Sequence, residues 1–177
     1  MELISNLESI SDHKTREYAF TAADFERIKN LIYKHAGISL SSSKQNMVYS
    51  RLARRLRANG LNNFNDYLNF LENGNPAEWE AFTNALTTNL TAFFREQHHF
   101  PILEKHIEKR KNQKKIQLWC SASSTGEEPY SMAMAMVEVF KTFTPPVHIL
   151  ATDLDTNVLA KAQLGIYPLD KLEKISK

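Results

Sequence analysis

The sequence predicts an α/β protein in which a small all-α domain is followed by a parallel sheet. Up to about residue 85, apolar residues recur at helical spacing in four short segments that brief polar loops separate. From residue 114 onward, the predicted order becomes strand, helix, strand, helix. Segments of these lengths form a βαβα unit, whose strands are parallel and joined by a right-handed crossover.

The first helix has sequence signals at both ends. Thr21 is placed as its N-cap and Asp24 stands three residues later, which is the pattern of a capping box. Phe20 and Phe25 occupy the hydrophobic-staple positions on either side of the cap. Gly37 follows the last position of the helical pattern and predicts a left-handed stop.

Three further helices complete the predicted all-α domain. The second covers residues 42–58 and ends at Asn59-Gly60, and the third begins after Asn63. The fourth has Asn75 as its N-cap and a proline at its first position. Because the loops between these helices are short, we expect the helices to pack together as one small domain.

The second predicted helix carries a basic face. At 100° per residue its cations fall on a different arc from its apolar residues; they are Lys44, Arg51, Arg54 and Arg55, with Arg57 at the flank. A face of this kind either binds an acidic partner or is an ordinary solvated surface. The sequence leaves both interpretations open.

The α/β part consists of two apolar runs, each followed by a helical segment. Residues 116–120 form the first predicted strand, residues 127–141 the first helix and residues 147–152 the second strand. Either Asp155 or Thr156 is placed to cap the second helix. This arrangement puts the turn after the first strand at the edge of the sheet where open α/β sheets bind ligands.

That turn, from Ser123 to Pro129, is a candidate ligand site. Its small residues allow a ligand to approach the backbone, and the helix start offers free N–H groups. With Gly126 as its only glycine, it matches neither the dinucleotide fingerprint nor a phosphate-binding loop. The two glutamates, Glu127 and Glu128, disfavour a phosphate and suit a ligand with an ammonium or a sulfonium. Alternatively, they are an ordinary acidic helix start.

Asp153 ends the second predicted strand. A carboxylate at this point accepts two hydrogen bonds from a ribose diol in nucleotide-binding βαβ units. In the alternative interpretation Asp153 only caps the following helix, and Asp155 competes for either role.

Composition excludes several functional classes. The net charge of +2 is too small to imply a polyanion, so we expect no nucleic-acid partner. A single cysteine and the lack of any long apolar run predict a cytoplasmic protein without direct membrane insertion, and we expect a monomer. No further Cys or His stands at suitable spacing near His98 and His99, so we expect no metal site.

Four stretches of the chain resemble the chemotaxis receptor methyltransferase (CheR) family. They are residues 47–57, 84–96, 99–103 and 124–131, in the order in which the family has them. The similarity extends from about Phe20 to Tyr167. Several motifs in family order are more specific than any one of them alone.

The resemblance implies the organisation of the chain. After a flexible arm (1–19), it implies a helical receptor-docking domain (20–85), a linker and cofactor-contacting segment (86–113), and part of a Rossmann-like class I methyltransferase domain (114–177). The family builds its sheet from about seven strands, whereas this chain supplies two, so we expect a truncated form of the family's enzyme.

The activity implied is methyl transfer from S-adenosylmethionine to glutamate side chains on the cytoplasmic region of methyl-accepting chemotaxis receptors. An alternative is a non-catalytic partner-binding module with a remnant methyltransferase domain. The positions that match the family's cofactor contacts are Asn89, Thr91, Arg95, Glu128 and Asp153, and the Arg95 position is also implied in catalysis. Without the resemblance, we would interpret Arg95 as a solvated surface charge next to two phenylalanines of the core.

Overall fold

The computed structural model describes residues 16–172 and residue 175. The chain forms two compact units, Met1–Leu86 and Thr87–Lys177. Residues 1–15 of the predicted arm lie outside the described residues. Within the described part of the chain, no helix is both long and apolar enough to cross a membrane.

The first unit contains the four predicted helices. They are α1 (Ala22–Ala36), α2 (Gln45–Ala58), α3 (Phe64–Glu72) and α4 (Pro76–Leu86). The second differs slightly from its predicted start, because residues 42–44 form one 3₁₀ turn before the α-helix begins. The side chains fully buried between these helices include Phe25, Ile28, Ile32, Leu52, Leu56, Phe64, Tyr67, Leu68, Leu71 and Phe82.

The local signals around α1 are confirmed. The Thr21 side chain accepts a hydrogen bond from the backbone N–H of Asp24 (3.1 Å), and the Asp24 carboxylate accepts one from the backbone N–H of Thr21 (2.8 Å). The rings of Phe20 and Phe25 pack edge to face with centroids 6.5 Å apart. Gly37 ends the helix in the left-handed conformation, with φ of 70°.

Residues 16–19 pack against α2. Tyr18 is buried, and its backbone N–H donates to the Tyr49 hydroxyl (3.3 Å). The Arg16 guanidinium lies 4.8 Å from the centroid of the Tyr49 ring and donates to Asn46 Oδ1 (2.7 Å). These four residues are therefore part of the helical unit rather than of a flexible arm.

A buried carboxylate connects α2, α3 and α4. The Glu78 side chain is 4% exposed and accepts hydrogen bonds from Arg55 Nε (2.9 Å), Arg55 Nη2 (2.5 Å), the Tyr67 hydroxyl (2.8 Å) and Asn59 Nδ2 (3.0 Å). Burial alone raises the pKa of Glu78, but these hydrogen bonds outweigh burial and hold the pKa below its ordinary value. The network gives the small helical core one fully satisfied polar centre.

The second unit has the predicted order of strands and helices. Its elements are α5 (His99–Glu108), β1 (Ile116–Cys120), α6 (Glu127–Phe140), β2 (Val147–Ala151) and α7 (Thr156–Leu164), followed by a 3₁₀ turn (Leu169–Leu172). The two strands are parallel, and their register runs from Ile116 opposite Val147 to Cys120 opposite Ala151. The prediction of an all-α part followed by a parallel α/β part is confirmed.

The two faces of this sheet differ. On one face α5 and α6 pack against β1 through a cluster that includes Phe100, Ile107, Ile116 and Met136. On the other face Trp119 and Leu150 are 68% and 61% exposed. Parallel strands are ordinarily buried on both faces, so these two side chains form an apolar surface that the described residues leave uncovered.

Candidate functional site

The loop after β1 is held at the carboxyl edge of the sheet by backbone hydrogen bonds. The Thr152 N–H donates to the Cys120 carbonyl (2.9 Å), and the Ser123 N–H donates to the Thr152 carbonyl (2.9 Å). The strand pairing thus continues beyond both strands. The chain then turns at Gly126, whose φ of 99° favours glycine, and α6 begins.

Asp153 ties the two loops at this edge together. Its Oδ2 accepts from the Ser124 N–H (2.8 Å), and its Oδ1 accepts from the Asp155 N–H (2.9 Å). Each carboxylate oxygen accepts one of these bonds and keeps a second lone pair. Asp153 is only half-buried, so those lone pairs remain accessible to a ligand.

Asp155, rather than Asp153, caps α7. Its Oδ1 accepts from the Asn157 N–H (2.9 Å), so the N-cap is Asp155 and not Thr156, the other residue placed to cap this helix by the sequence. Its Oδ2 accepts from Asn89 Nδ2 (2.6 Å) and from the Thr87 hydroxyl (3.0 Å), and the Asp155 carboxylate is buried. Asp155 therefore holds the segment that contains Asn89 against the carboxyl edge.

The two glutamates of the loop have different environments. Glu127 is fully buried, where its carboxylate accepts from Lys171 Nζ (2.5 Å) and the Thr125 hydroxyl (2.6 Å). Burial raises the pKa of Glu127, but the bonds from Lys171 and Thr125 outweigh it and lower the pKa. Glu128 is exposed at the start of α6. Only Glu128 is therefore available to a ligand.

Cys120, the last residue of β1, is buried close to the carboxyl edge of the sheet. Burial raises the pKa of the Cys120 thiol, and the negative charges of Glu128 and Asp153 raise it further. Both carboxylates thus act on the last residue of β1. The structure brings Asp153, Glu128 and, through Asp155, Asn89 to one edge of the sheet.

Arg95 lies in an irregular turn before α5. The residues on either side of it, Phe94 and Glu96, have φ of 50° and 53°. Arg95 is exposed, and its Nη1 donates to the Leu90 carbonyl (2.8 Å). Its guanidinium makes no ion pair with a carboxylate among the described residues, so most of its N–H groups remain available. The half-buried Thr91 belongs to the same segment.

The cations of the predicted docking face have unequal surroundings. Lys44 and Arg54 are exposed, and neither forms an ion pair with a described carboxylate. Arg57 is exposed and pairs with Glu17 (3.2 Å). Arg51 is half-buried and donates to a backbone carbonyl of α4.

Arg55 differs most from the prediction. It is the cation that pairs with the buried Glu78, and its side chain is 28% exposed. Its positive charge is neutralised by Glu78 inside the helical unit. Arg55 can reach Glu78 because it lies at the border between the apolar arc and the basic arc of α2. Helical periodicity alone could not show this.

Two side chains that hold the loop at the carboxyl edge of the sheet were not predicted from the sequence. Tyr167 donates its hydroxyl to the Thr125 carbonyl (2.6 Å), and Lys171 reaches Glu127. Both follow α7, in a stretch without a recognisable pattern. The local pattern of Glu127 and Glu128 does not distinguish the buried glutamate from the exposed one, because Lys171 and Tyr167 lie far along the chain.

The chain matches two family models. Residues 23–87 match the all-alpha domain of the CheR methyltransferase, and residues 89–177 match its SAM binding domain. The boundary between the two matches agrees with the boundary between the two structural units. The second match also contains Asn89, Thr91, Arg95, Glu128 and Asp153.

Several curated proteins are similar over most of the chain. The chemotaxis protein methyltransferase of Salmonella typhimurium is 50% identical over 175 residues, which are 98% of this chain and 60% of that protein. Chemotaxis protein methyltransferase 2 of Pseudomonas aeruginosa is 47% identical over 161 residues, covering 90% of this chain and 57% of that protein. The Escherichia coli chemotaxis protein methyltransferase is 49% identical over 163 residues, with 92% and 56% covered. The chain thus spans less than two thirds of the length of these relatives.

Proposed function

Because the chain belongs to the CheR methyltransferase family, we propose that it catalyses S-adenosylmethionine-dependent methyl esterification of glutamate side chains on chemotaxis receptors. The proposed substrate is the cytoplasmic region of those receptors, so the reaction takes place in the cytoplasm. The observation that supports this most directly is the carboxyl edge of the sheet. There, two accessible carboxylates lie within the part of the chain that matches the SAM binding domain.

The residues at this edge fit S-adenosylmethionine. Asp153 has a free lone pair on each carboxylate oxygen, which suits the two hydroxyl groups of a ribose. The exposed carboxylate of Glu128 suits the ammonium of the methionine part. The bound cofactor would supply a methyl group on a sulfonium, which is a built-in leaving group.

Little acid–base chemistry is required of the protein. A glutamate substrate has an ordinary pKa of about 4.3, so it is already ionised at neutral pH. What remains is to align the attacking oxygen, the methyl carbon and the sulfur, so proximity and orientation supply most of the rate. This agrees with a site built from hydrogen-bonding groups that hold loops in place.

The cofactor assignment predicts a loss of affinity in Asp153→Ala. The substitution removes the charged group that accepts hydrogen bonds from the ribose, and it should weaken S-adenosylmethionine binding by about 1.5–3 kcal/mol. Isothermal calorimetry on the product of the complete gene measures this directly. Glu138→Ala, which removes an exposed carboxylate elsewhere on α6, is the control and should change the dissociation constant less than about twofold.

Two outcomes would contradict this assignment. Unchanged affinity in a folded Asp153→Ala variant would show that Asp153 serves only to connect the two loops. Tight cofactor binding without any methyl transfer to receptor would favour the non-catalytic module instead. Asp153→Asn preserves the shape of the side chain and guards against a trivial folding defect.

We also propose that the exposed cations of α2, Lys44 and Arg54, dock the chain on an acidic surface of the receptor, and this docking proposal predicts a specific effect of charge reversal. In Lys44→Glu/Arg54→Glu, the apparent KM for receptor should rise roughly 10-fold at low salt and should vary less with salt, because electrostatic steering is lost. The affinity for S-adenosylmethionine should stay the same. Lys34→Glu/Lys109→Glu changes the net charge equally at other exposed positions and is the matched control. If both pairs raise KM equally, the effect is one of net charge and α2 is not the docking face.

A further inference from the structure

The segment that follows α7 lies directly against the start of α6. We call residues 165–172 the strap. It contacts the loop at two places, because the Tyr167 hydroxyl donates to the Thr125 carbonyl (2.6 Å) and Lys171 Nζ donates to the Glu127 carboxylate (2.5 Å). Both acceptors belong to the turn that precedes the exposed Glu128.

The contact between the strap and the loop leaves no free space at Gly126. A Cβ atom added there would lie 2.4 Å from the Tyr167 hydroxyl oxygen and 3.0 Å from Cβ of Ala162. Gly126 also has φ of 99°. The glycine is therefore required both by the backbone conformation and by the position of Tyr167.

The Tyr167 ring joins the loop to the segment that carries Arg95. It packs edge to face on Phe93 with centroids 4.9 Å apart, and on Tyr130 with centroids 5.9 Å apart. Phe93 is buried and stands two positions before Arg95. One aromatic ring thus contacts the first turn of α6 and the irregular turn before α5, while its hydroxyl holds the loop.

Glu127 contributes to the site only indirectly. Its carboxylate is fully buried, so it cannot contact a ligand at the surface. A buried charge is tolerated only with a partner and hydrogen bonds, and here Lys171 and the Thr125 hydroxyl supply them. Because neighbouring helical residues point about 100° apart, fixing Glu127 inward turns Glu128 outward.

We infer that the strap is a positioning device for the cofactor loop. Tyr167 and the Glu127–Lys171 pair hold the backbone of residues 125–128, and in this way they set the direction of Glu128. They are positioning residues, because they act on the cofactor through the loop and Glu128. This inference rests on the proposed function, which assigns S-adenosylmethionine to this edge.

Two tyrosine variants test the inference against each other. Tyr167→Phe removes a hydroxyl bound to the loop, whereas Tyr130→Phe removes a hydroxyl bound to the Ala162 carbonyl of α7 (2.9 Å). With the complete gene product, Tyr167→Phe should raise the dissociation constant of S-adenosylmethionine roughly fivefold or more, and Tyr130→Phe less than about twofold. At saturating cofactor, kcat should be unchanged in both variants. The substitutions change only how tightly the cofactor is bound, and this appears in the KM for the cofactor.

A measurement without cofactor tests the same point. In Tyr167→Phe the backbone amides of residues 124–128 should exchange hydrogen faster than in the wild type, while the amides of α7 should not. In Tyr130→Phe the loop amides should retain wild-type exchange. Equal effects of the two variants on exchange and on affinity would overturn the inference.

The ion pair is tested by its own set of variants. Lys171→Met leaves the buried Glu127 carboxylate unpaired and should weaken cofactor binding, whereas Lys171→Arg should restore most of it. The double variant Glu127→Gln/Lys171→Met should bind more tightly than Lys171→Met, because it carries no unpaired charge. Purely additive effects would show that Glu127 and Lys171 do not act as a pair. Lys171 would then have no positioning role.

The wild-type measurement separates the two proposals. If the wild type binds S-adenosylmethionine and the tyrosine variants behave alike, only the positioning role fails. If the wild type does not bind the cofactor at all, the cofactor assignment fails, and the positioning role is overturned with it.

Discussion

Replacing Arg55 with alanine is expected to destabilise the helical unit by about 3 kcal/mol, because the substitution leaves a buried carboxylate without its charged partner. Arg54→Ala, on the exposed side of the same helix, should cost less than about 0.5 kcal/mol. In a Trp119→Phe background the remaining tryptophan, Trp79, reports on the helical unit alone. Urea unfolding followed by its fluorescence gives both free energies of unfolding.

Comparable losses in the two arginine variants would contradict the structural role of Arg55. They would show that the Arg55–Glu78 pair contributes no more to the free energy of unfolding than an exposed arginine does. The matched pair also separates stability from docking, since the docking proposal depends on Lys44 and Arg54 and gives no role to Arg55.

The same carboxylate makes stability depend on pH. Because the folded protein holds the pKa of Glu78 below its ordinary value, the unfolded chain takes up a proton first as the pH falls. The stabilisation is therefore complete above the unfolded pKa and is lost as the pH falls through the folded pKa. Between roughly pH 5 and pH 3, the free energy of unfolding should fall more steeply in the wild type than in Glu78→Gln. Other acids cancel in this comparison, and parallel curves would contradict it.

Much of the helical unit could be predicted because its signals are local. A cap such as Thr21 and its partner Asp24 are three residues apart, so their geometry follows from the helix itself. Asn75 was correctly placed as the N-cap of α4, since its side chain accepts from the Glu78 N–H (3.2 Å). The hydrogen-bond partners of the Glu78 side chain could not be predicted, because they come from two other helices.

At the carboxyl edge of the sheet, local signals were again predictable and distant contacts were not. The strand–turn–helix order placed Asp153 and the glutamate pair correctly, because parallel strands bring their carboxyl ends together. The inward turn of Glu127 depends on Lys171, which is 44 positions later and lies in a stretch without periodicity. The Asn89 side chain is held at the edge by Asp155, a contact between side chains 66 positions apart. Such pairings follow from tertiary packing and leave no mark on local pattern.

The surroundings of Arg95 favour a role in positioning. It lies between two residues with left-handed backbone, and one bond to the Leu90 carbonyl fixes its guanidinium. A guanidinium presents two parallel N–H groups to a carboxylate, which a lysine cannot reproduce. A cation near the substrate helps hold an anion, but it also stabilises the carboxylate before attack. Because the attack consumes negative charge, pure charge stabilisation would slow the reaction.

We therefore expect Arg95→Lys to lose roughly 10²-fold in the rate of methyl transfer, although it keeps the positive charge, because misplacement of reacting groups by about 1 Å costs that much. Arg95→Ala should lose at least as much. The measurement is single-turnover methylation of receptor by the complete gene product at saturating cofactor and receptor, so that differences in affinity do not contribute. Glu96→Gln, which changes an exposed neighbour in the same turn, is the control and should retain the wild-type rate. If lysine matches arginine, the fork geometry is irrelevant and Arg95 acts through its charge; if alanine also matches, Arg95 is a solvated surface residue with no part in the reaction.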